Sequence, residues 1–464
     1  MTTDSPSWLA RRRWLLVAPA LLFLWIVAQI DKTNVSLIIA DPTFLRELNV
    51  AGHNTELGGL MSSFFIGYGF SIFIWGFLVD RFGPRKCVIS GTLIWAVMLF
   101  LSSLVGDIRQ YLLIRFLLGA AEGNLWPVSN ALTNRWFAVH EHSRVQAFWI
   151  TGSTLGTAVG VPIVAALILA SGWRGALEAL SLVSLLPVAL FCFVKDKPRE
   201  QRAVGPDESR NIKRDGQEPA EAEGHRAGAS VAKLGNWPHS ATLAPRVSEE
   251  PLSFQELLGS RPFWLITVCQ FVSATTIYTL VQWIPSYVTG FRHLSFKSMG
   301  GWITLGYVIA TILTLIVGYI ADRTMQRSLA GAWVSVLFLI VILPAQIASP
   351  IASAVTLAAL IGVASSTAAL NGALMQTLVK PEAIARGTGI YAGIGMFSSA
   401  VGPALFGALI GYLGGQYWGG FLFLALLNAV GAAGYIALHR VSTTRSREPA
   451  HAGREDAGSY IAAH

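Results

Sequence analysis

The sequence contains two copies of a G-x-x-x-D-R pattern, Gly76-Phe-Leu-Val-Asp80-Arg81 and Gly318-Tyr-Ile-Ala-Asp322-Arg323, which lie 242 residues apart. Each copy closes an apolar run, and the first continues as Phe-Gly83-Pro-Arg85-Lys86. The same offset of 242 residues relates Arg144 to Arg386. Matches that share one offset favour a duplicated structural unit over coincidence.

The residues around these motifs are too apolar for a soluble protein. Of the 464 residues, 53% are hydrophobic and 13% are charged, with a mean hydropathy of +0.53. A bilayer core about 30 Å thick needs about 20 apolar residues per helix. The chain divides into twelve such runs, and we therefore predict an all-α membrane protein with twelve transmembrane helices in two pseudo-symmetric six-helix bundles. The runs cover residues 14–38, 57–78, 87–106, 110–133, 146–170, 174–194, 262–288, 299–320, 329–349, 351–379, 387–413 and 417–438.

Lys and Arg predict the orientation in the membrane, because basic loops stay on the cytoplasmic side. With the N-terminus inside, the inner segments carry 27 of the 34 basic residues and the outer loops carry five. Both termini are therefore predicted to be cytoplasmic in a multi-pass membrane protein, and the compact chain favours a bacterial inner membrane. The net charge of +8 is spread over these loops, which argues against a nucleic-acid partner.

Composition also predicts how the chain is divided. Residues 195–253 are rich in Pro, Gly, Ala and Ser and carry mixed charges, which is typical of a disordered linker. The predicted units are an N-terminal bundle (1–194), this cytoplasmic linker (195–253), a C-terminal bundle (254–441) and a disordered tail (442–464). The three Cys show no CxxC spacing, and no G-x-S-x-G, H-E-x-x-H or P-loop pattern occurs. We predict no metal, no cofactor, no required protein partner and no enzymatic activity.

Longer motifs resemble a known family. The segment from Gly76 to Lys86 resembles the loop between helices 2 and 3 of the major facilitator superfamily. Three further stretches are similar to the anion:cation symporter family, whose members move sugar acids, aromatic carboxylates and other organic anions; they are Asp31-Lys32-Thr-Asn34, Arg115-Phe-Leu-Leu-Gly-Ala-Ala-Glu122-Gly and Trp283-Ile-Pro285-Ser-Tyr287. The resemblance covers all twelve predicted spans and implies import of a small organic anion with protons.

Arg115 and Glu122 lie seven residues apart inside the fourth predicted span. Seven steps of 100° return to within about 20° of the same helix face, about 10 Å further along the axis. Arg115 can bind a carboxylate through two hydrogen bonds, and burial favours the protonated form of Glu122, so that it can carry a proton. The alternative is that the pair only holds its helix to its neighbours. The resemblance assigns Arg115 to the substrate anion and Glu122 to proton coupling.

Asp31 and Lys32 follow an apolar run of 17 residues, Trp14 to Ile30, so they can also mark the edge of the membrane. The resemblance instead makes Asp31 a second proton-coupling acid and Lys32 a cation beside the substrate, where many family members have Arg. Tyr68 lies between two glycines in the second span. It is either a packing residue or, by family position, a hydroxyl donor to the substrate.

In the second half the candidates are uncharged. Each alone can be a contact between helices, although some must line a cavity if the two repeats enclose one. We predict substrate contacts from Tyr278, Gln282, Trp283, Ser365 with its neighbour Ser366, and Asn371.

The two G-x-x-x-D-R loops can form a conformational latch at the cytoplasmic side. Acid-base pairs there would hold one state and break in the other, while glycines allow close approach. The alternative is a solvated basic turn that serves only topology. The predicted latch residues are Gly76, Asp80, Arg81, Gly83, Arg85, Asp322 and Arg323.

Two other functions compete with anion import. A proton-driven efflux antiporter for lipophilic or cationic compounds is disfavoured, because such antiporters resemble one another in a G-x-x-x-G-P-x-x-G-G segment. Here Gly156-Thr-Ala-Val-Gly160-Val-Pro162 departs from it. A transporter-derived membrane sensor is the other alternative, which measurable net flux would exclude. The predicted partners are thus a small organic anion, protons and the lipid bilayer.

Overall fold

The computed structural model describes residues 8–137, 141–196, 254–324, 326–378 and 384–445, and these segments are helical throughout apart from short turns. Almost all of the predicted linker and most of the predicted tail lie outside the described residues. The helices are α1 (Trp8–Ile38), α2 (Pro42–Glu47), α3 (Asn54–Phe82), α4 (Pro84–Ser103), α5 (Ile108–Glu122), α6 (Leu125–Trp136), α7 (His142–Val183), α8 (Leu185–Phe193), α9 (Phe254–Gly259), α10 (Arg261–Ser286), α11 (Phe296–Thr324), α12 (Arg327–Ile342), α13 (Pro350–Leu378), α14 (Ile384–Tyr412) and α15 (Trp418–Arg445). A π-helical turn (Tyr287–Phe291) follows α10, and a 3-10 turn (Pro344–Gln346) follows α12.

Glycine and proline set several of these boundaries. Gly83 ends α3 with a φ of 89°, a left-handed conformation that suits glycine, and Pro84 then begins α4 at a position where no backbone donor is needed. Gly172 is the one residue with non-helical angles inside α7 (φ 72°, ψ 174°). It divides α7 into two helical segments, because a left-handed residue cannot continue a right-handed helix.

The described helices account for twelve crossings of a membrane. Within the described residues, ten segments are long and apolar enough to cross by themselves. One of them, Phe148–Phe193, has 46 residues, or about 69 Å of helix, which is enough for two crossings joined at Gly172. The remaining crossing is shared by α5 and α6, which are too short individually and are separated by Gly123 and Asn124. The predicted all-α fold with twelve membrane helices is confirmed.

The helices form two halves, α1–α8 and α9–α15. In the first half α1 packs along α7 and α3 along α5, while in the second α11 packs along α13 and α12 along α15. Contacts between the halves run mainly from α3 to α14, with further contacts from α7 to α11 and from α1 to α10.

The two ends of the bundle differ in how the halves meet. We call the end where α3 and α11 finish the Asp-Arg end, and the opposite end the distal end. Toward the distal end Ser62 Oγ donates to Ala400 O at 2.5 Å, and Gln282 Nε2 donates to Leu57 O at 3.2 Å. In the middle of the bundle the rings of Phe70 and Phe397 lie 5.4 Å apart. The described contacts between the halves therefore extend from the middle of the bundle to the distal end, and close it there.

Close packing of α3 on α5 fixes the position of the functional side chains. A Cβ added at Gly119 would lie 2.8 Å from the carbonyl carbon of Phe64, and one at Gly67 would lie 3.0 Å from that of Phe116. These glycines let the two backbones approach, as small residues do in membrane helix pairs. Arg115 and Glu122 on α5 are thereby held beside Phe64 and Tyr68 on α3.

Replacing Gly119 by leucine should separate α3 from α5. We expect the apparent melting temperature in detergent to fall by several degrees, because overpacking costs roughly 1–3 kcal/mol. Fluorescence-detected size-exclusion after heating measures this. Gly106→Leu is the matched control, since a Cβ there would meet no atom within 4 Å. Equal melting curves for the two variants would contradict the packing described.

Candidate functional site

Four charged side chains are buried together in the first half. Asp31 and Lys32 come from α1, and Arg115 and Glu122 come from α5. Their exposed fractions are 1%, 5%, 0% and 0% respectively. Because α1 continues to Ile38, Asp31 and Lys32 lie within a helix and inside the bundle. They do not mark an exposed membrane edge. We call Asp31, Lys32, Arg115 and Glu122 the charged cluster.

An ion pair joins the two helices of the charged cluster. Lys32 Nζ lies 3.0 Å from Glu122 Oε2. The same ammonium lies over aromatic faces, 5.2 Å from the ring centroid of Tyr68 and 5.9 Å from those of Trp25 and Phe64. Glu122 Oε1 accepts no hydrogen bond from the described residues. Protonation of Glu122 would therefore remove the main partner of Lys32 without breaking other hydrogen bonds.

Of the residues in the charged cluster, Arg115 is the best suited to bind an anion. Its guanidinium lies 4.9 Å from the ring of Phe64. Its Nε, Nη1 and Nη2 atoms are buried, and none donates a hydrogen bond to the described part of the chain. Buried donors without partners are costly, and those of a guanidinium are arranged in a planar fork that matches a carboxylate or sulfonate. The side chain is suited to binding a planar or tetrahedral oxyanion.

Asp31 joins the charged cluster to the junction of α7 and α8. Its Oδ2 accepts a hydrogen bond from Ser184 Oγ at 3.0 Å, at the junction of α7 and α8, and its Oδ1 has no hydrogen-bond partner within the described residues. It also interacts electrostatically with Glu122 and Arg115. Two acids and two bases thus share one buried region, where charges interact strongly.

Two predicted tyrosines lie at this cluster. The ring of Tyr68 packs at 6.0 Å from that of Phe64, on the α3 face that meets Lys32. Tyr278 comes from α10 in the other half, where its ring meets Phe65 edge-on at 4.3 Å, and it interacts electrostatically with Glu122. Both halves of the molecule therefore contribute to the surroundings of Glu122.

Other predicted residues use their hydrogen bonds inside the protein. Gln282 Nε2 donates to Leu57 O between the halves, as described above. Trp283 Nε1 donates to Pro403 O at 3.1 Å, and Ser365 Oγ donates to Ile361 O at 2.8 Å in its own helix. Their roles as substrate contacts stay predictions.

A polar network in the second half includes residues that sequence reasoning missed. Asn371, a predicted substrate contact, donates from Nδ2 to Gln270 Oε1 at 3.3 Å and accepts from Tyr435 OH at 2.6 Å. Tyr391 OH donates to the same Gln270 oxygen at 2.7 Å. Gln270, Tyr391 and Tyr435 come from α10, α14 and α15. An amide within an apolar span was the only sequence signal, and it did not single out Gln270.

The loop after α3 is attached to its own half. Arg85 N–H donates to Asp196 Oδ1 at 2.8 Å, and its guanidinium donates to Phe191 O at 3.2 Å and to Cys192 O at 2.7 Å. These bonds tie the start of α4 to the end of α8. In the described contacts Arg81 stacks on Phe82, and Arg323 donates to Tyr319 OH at 3.0 Å.

The predicted latch is not tested by these contacts. Asp80 is exposed, and the side chain of Asp322 lies outside the described residues. A Cβ at Gly76 would meet no atom within 4 Å, whereas one at Gly83 would approach the carboxylate of Asp196. The role of these residues in conformational change stays a prediction. Among the described residues, no group of three or more His, Cys, Asp or Glu is placed to hold a metal ion.

Comparison with known proteins shows which family and which transporters this chain resembles. A family model described as Major Facilitator Superfamily matches residues 21–355. A probable sulfoacetate transporter of Cupriavidus necator is 26% identical over 314 residues, which are 68% of this chain and 66% of that protein. A probable L-galactonate transporter of Escherichia coli is 26% identical over 67% of this chain and 62% of its own length. A hexuronate transporter of Bacillus subtilis is 26% identical over 67% of this chain and 65% of its own length. The matches span slightly less than two thirds of these relatives.

Solved structures match over almost the whole chain. A crystal structure of a bacterial homolog to the human lysosomal transporter Spinster, in an inward-facing and unoccupied conformation, has a TM-score of 0.71 at 14% identity. The match covers 96% of this chain and 99% of that one. The occupied inward-facing conformation gives a TM-score of 0.66 at 16% identity, with 94% and 98% covered. At this identity the likeness concerns the fold alone.

Proposed function

This chain belongs to the Major Facilitator Superfamily, and on that premise we propose that it imports a small organic anion together with protons. The relatives are named as a probable sulfoacetate transporter, a probable L-galactonate transporter and a hexuronate transporter, and all three compounds are organic anions with carboxylate or sulfonate groups. The family match and these names support a transporter and not an enzyme. Transport proceeds by alternating access, in which the two six-helix halves open the site to one side of the membrane and then to the other.

The observation that carries the proposal is the buried guanidinium of Arg115, whose nitrogens donate no hydrogen bond to the described residues. A carboxylate or sulfonate bound there would accept two parallel hydrogen bonds and neutralise a charge that is otherwise costly to bury. Tyr68 and Tyr278, one from each half, flank the same region and can donate hydroxyl hydrogen bonds to the anion. A cation would be repelled by Arg115, which disfavours the efflux of cationic compounds.

Proton coupling follows from the ion pair of Lys32 with Glu122. While Glu122 is ionised it holds the ammonium. When Glu122 takes up a proton, Lys32 loses its counter-charge and becomes a second cation for the anion. Binding of the anion and of the proton therefore favour each other, as linkage requires. Asp31, which interacts electrostatically with Glu122 and Arg115, is the second candidate proton carrier.

The orientation in the membrane determines the side on which the anion is released. The Asp-Arg end and both termini face the cytoplasm of a bacterial cell, in line with the distribution of Lys and Arg. The distal end, where contacts between the halves are described, is then the outer side. The Asp-Arg loops act as a latch that forms on the cytoplasmic side when the outer end opens. The latch breaks when the outer end closes, and substrate and protons are then released inside.

Internal pH in proteoliposomes tests the proposed function. The purified protein is reconstituted with a trapped pH-sensitive dye, and a panel of anions is added outside: gluconate, glucuronate, benzoate, succinate and sulfoacetate. Symport with any anion class acidifies the lumen, because protons enter with the anion. Lipophilic cations are added in parallel, since a proton antiporter would alkalinise the lumen instead.

The outcomes separate the alternatives. Acidification by at least one anion, absent from empty liposomes, supports symport. Alkalinisation by cations with no response to any anion would overturn the proposal in favour of efflux. Binding of anions without any flux would indicate a sensor.

A further inference from the structure

An apolar groove of about 450 Å³ lies between α1 and α8, away from the charged cluster. Seven of the nine residues that line it come from α1, and the other two, Leu190 and Phe193, come from α8. All nine side chains are apolar. Leu15 and Phe193 are 73% and 68% exposed, so the groove is open on its outer side.

The groove opens to lipid. The nine residues of α8, Leu185–Phe193, include no charged or amide side chain. Its large exposed residues are all apolar; they are Leu185, Leu186, Leu190 and Phe193. In a protein that crosses a membrane, such a face lies against hydrocarbon, whereas the wall of a water-filled path carries polar groups. The groove is therefore separate from the path of a transported anion.

The length of the groove matches one leaflet of the membrane. Along α1 it runs from Leu15 to Ile26, and eleven residues of helix span about 16 Å. This is about half of a hydrocarbon core about 30 Å thick. The groove lies toward the Asp-Arg end, because α8 finishes beside Arg85 at the start of α4. One lipid acyl chain from the leaflet at that end can therefore lie along it.

Basic groups lie at the end of α8, where a lipid headgroup would be. The guanidinium of Arg85 donates to Cys192 O at 2.7 Å, one residue before Phe193. Lys195 follows Phe193 by two residues, and its ammonium forms no ion pair with the described residues. The nearby acid, Asp196, accepts the backbone N–H of Arg85. Lys195 is thus free to pair with an anion from the membrane surface.

The start of α1 adds further positive charge at the same end. The sequence has Arg11-Arg12-Arg13 in the turn before Leu15, within the described helix. Positions 11 and 12 precede Leu15 by four and three residues, so the helical repeat puts them on the face that carries the groove. Glu141 is an acid at this end, and it accepts the indole N–H of Trp14. Basic residues therefore outnumber acids at the mouth of the groove.

Pro19 makes this part of α1 depend on what fills the groove. It lies inside α1 and lines the groove, and it has no N–H to donate to the carbonyl of Leu15. The turn around Leu15 thus lacks a helical hydrogen bond and has one side uncovered by protein. The same helix continues to Asp31 and Lys32, which are half of the charged cluster.

We propose that this groove binds one acyl chain of an anionic phospholipid, whose phosphate is held by Lys195 and by the basic turn at the start of α1. A hydrocarbon chain matches the apolar lining, and clusters of Lys and Arg beside membrane helices attract anionic headgroups. The bound lipid packs against α1 beside Pro19 and stabilises the helix that leads to the charged cluster. The inference does not depend on which anion is transported.

Native mass spectrometry of the full-length protein tests this site. The protein is delipidated in detergent and titrated with phosphatidylglycerol or with phosphatidylcholine of the same acyl chains, which gives a dissociation constant for each lipid. Lys195→Gln removes one basic group, and Leu190→Trp fills the groove. The matched controls are Lys297→Gln, an exposed lysine at the start of α11, and Leu315→Trp, a lipid-facing residue of α11 that is 69% exposed.

We expect the unaltered protein to bind phosphatidylglycerol at least about tenfold more tightly than phosphatidylcholine, and Lys195→Gln to reduce this preference about fivefold. Leu190→Trp should weaken binding of both lipids by a similar factor, because it blocks the acyl chain and not the headgroup. Phosphatidylglycerol should also raise the melting temperature of the unaltered protein and of Leu315→Trp, but not that of Leu190→Trp. Both control variants should bind the lipids as the unaltered protein does.

Four results would overturn the proposal. Equal affinity of the unaltered protein for the two lipids would mean that any neutral lipid fills the groove. Unaltered lipid binding by Leu190→Trp would place the lipid elsewhere. A dimer that is lost in Leu190→Trp would make the groove a contact between two copies of the chain. If Leu190→Trp does not fold, Lys195→Gln decides, since an unchanged preference for phosphatidylglycerol would contradict the assigned headgroup site.

Discussion

Arg115→Ala is expected to abolish anion binding. Two charge-assisted hydrogen bonds are worth about 1.5–3 kcal/mol each, and every 1.4 kcal/mol is a factor of ten in affinity. The variant should therefore bind the transported anion at least about 100-fold more weakly and give no acidification in proteoliposomes. Calorimetric titration measures the loss directly.

The stability of the same variant separates binding from a structural role. Arg115 is completely buried, and its nitrogens donate no hydrogen bond within the described residues. Its removal takes away a desolvation cost as well as the attraction to Asp31 and Glu122, so the melting temperature should change little. If Arg115 only held α5 to its neighbours, its replacement would instead lower the melting temperature of the protein.

Two further variants test whether the effect is specific to the guanidinium of Arg115. Arg115→Lys keeps the charge but loses the planar fork, and it should bind the anion with intermediate affinity. Arg109→Ala changes an exposed arginine on the same helix and should leave binding unchanged. Full binding by Arg115→Ala would show that the anion is held elsewhere. A large loss of thermal stability without a change in affinity would make Arg115 structural.

The site was only partly predictable from the sequence. The spacing of residues shows which side chains share a face of one helix, but it does not show how different helices pack together. The seven-residue interval placed Arg115 and Glu122 on one face, and the structure confirms that both lie buried on α5. The ion pair of Lys32 with Glu122 could not be derived in this way, since it depends on where α1 lies relative to α5. Burial of Asp31 and Lys32 likewise required the three-dimensional arrangement, because 17 apolar residues are nearly enough to reach the membrane edge.

The second half was harder to interpret, for a physical reason. A charge inside a membrane span is costly and therefore conspicuous, whereas neutral amides and hydroxyls occur in many helix contacts. Gln270 differs from Gln282 in burial and in its partners. Gln282 is fully buried and its NH₂ group donates to Leu57 O, whereas Gln270 is half-buried and its NH₂ group has no partner among the described residues. Sequence alone does not reveal such a difference, while the twelve-helix fold follows from hydropathy and the repeat.

Glu122→Gln is expected to separate binding from proton coupling. Glutamine has the shape of the protonated acid but cannot release a proton, so Lys32 stays without its counter-charge and the anion site is retained. The variant should exchange labelled anion across the membrane at a rate that no longer depends on pH. It should not accumulate the anion in response to a pH gradient. For one proton per anion, a gradient of one pH unit supplies about 1.4 kcal/mol, or about tenfold accumulation, in the unaltered protein.

Counterflow and net uptake, measured on the same proteoliposomes, distinguish this outcome from simple loss of function. Glu56→Gln is the matched control, because Glu56 is a partly exposed acid in the first turn of α3, outside the charged cluster, and its replacement should leave both activities unchanged. Asp31→Asn tests the second acid: if Asp31 shares the coupling, this variant also loses accumulation while retaining exchange. Accumulation by Glu122→Gln against a gradient would contradict the coupling role of Glu122. Loss of both exchange and accumulation would also contradict it. Glutamine mimics protonated Glu122, and in the proposed mechanism this form binds the anion, so the variant should still exchange anion across the membrane.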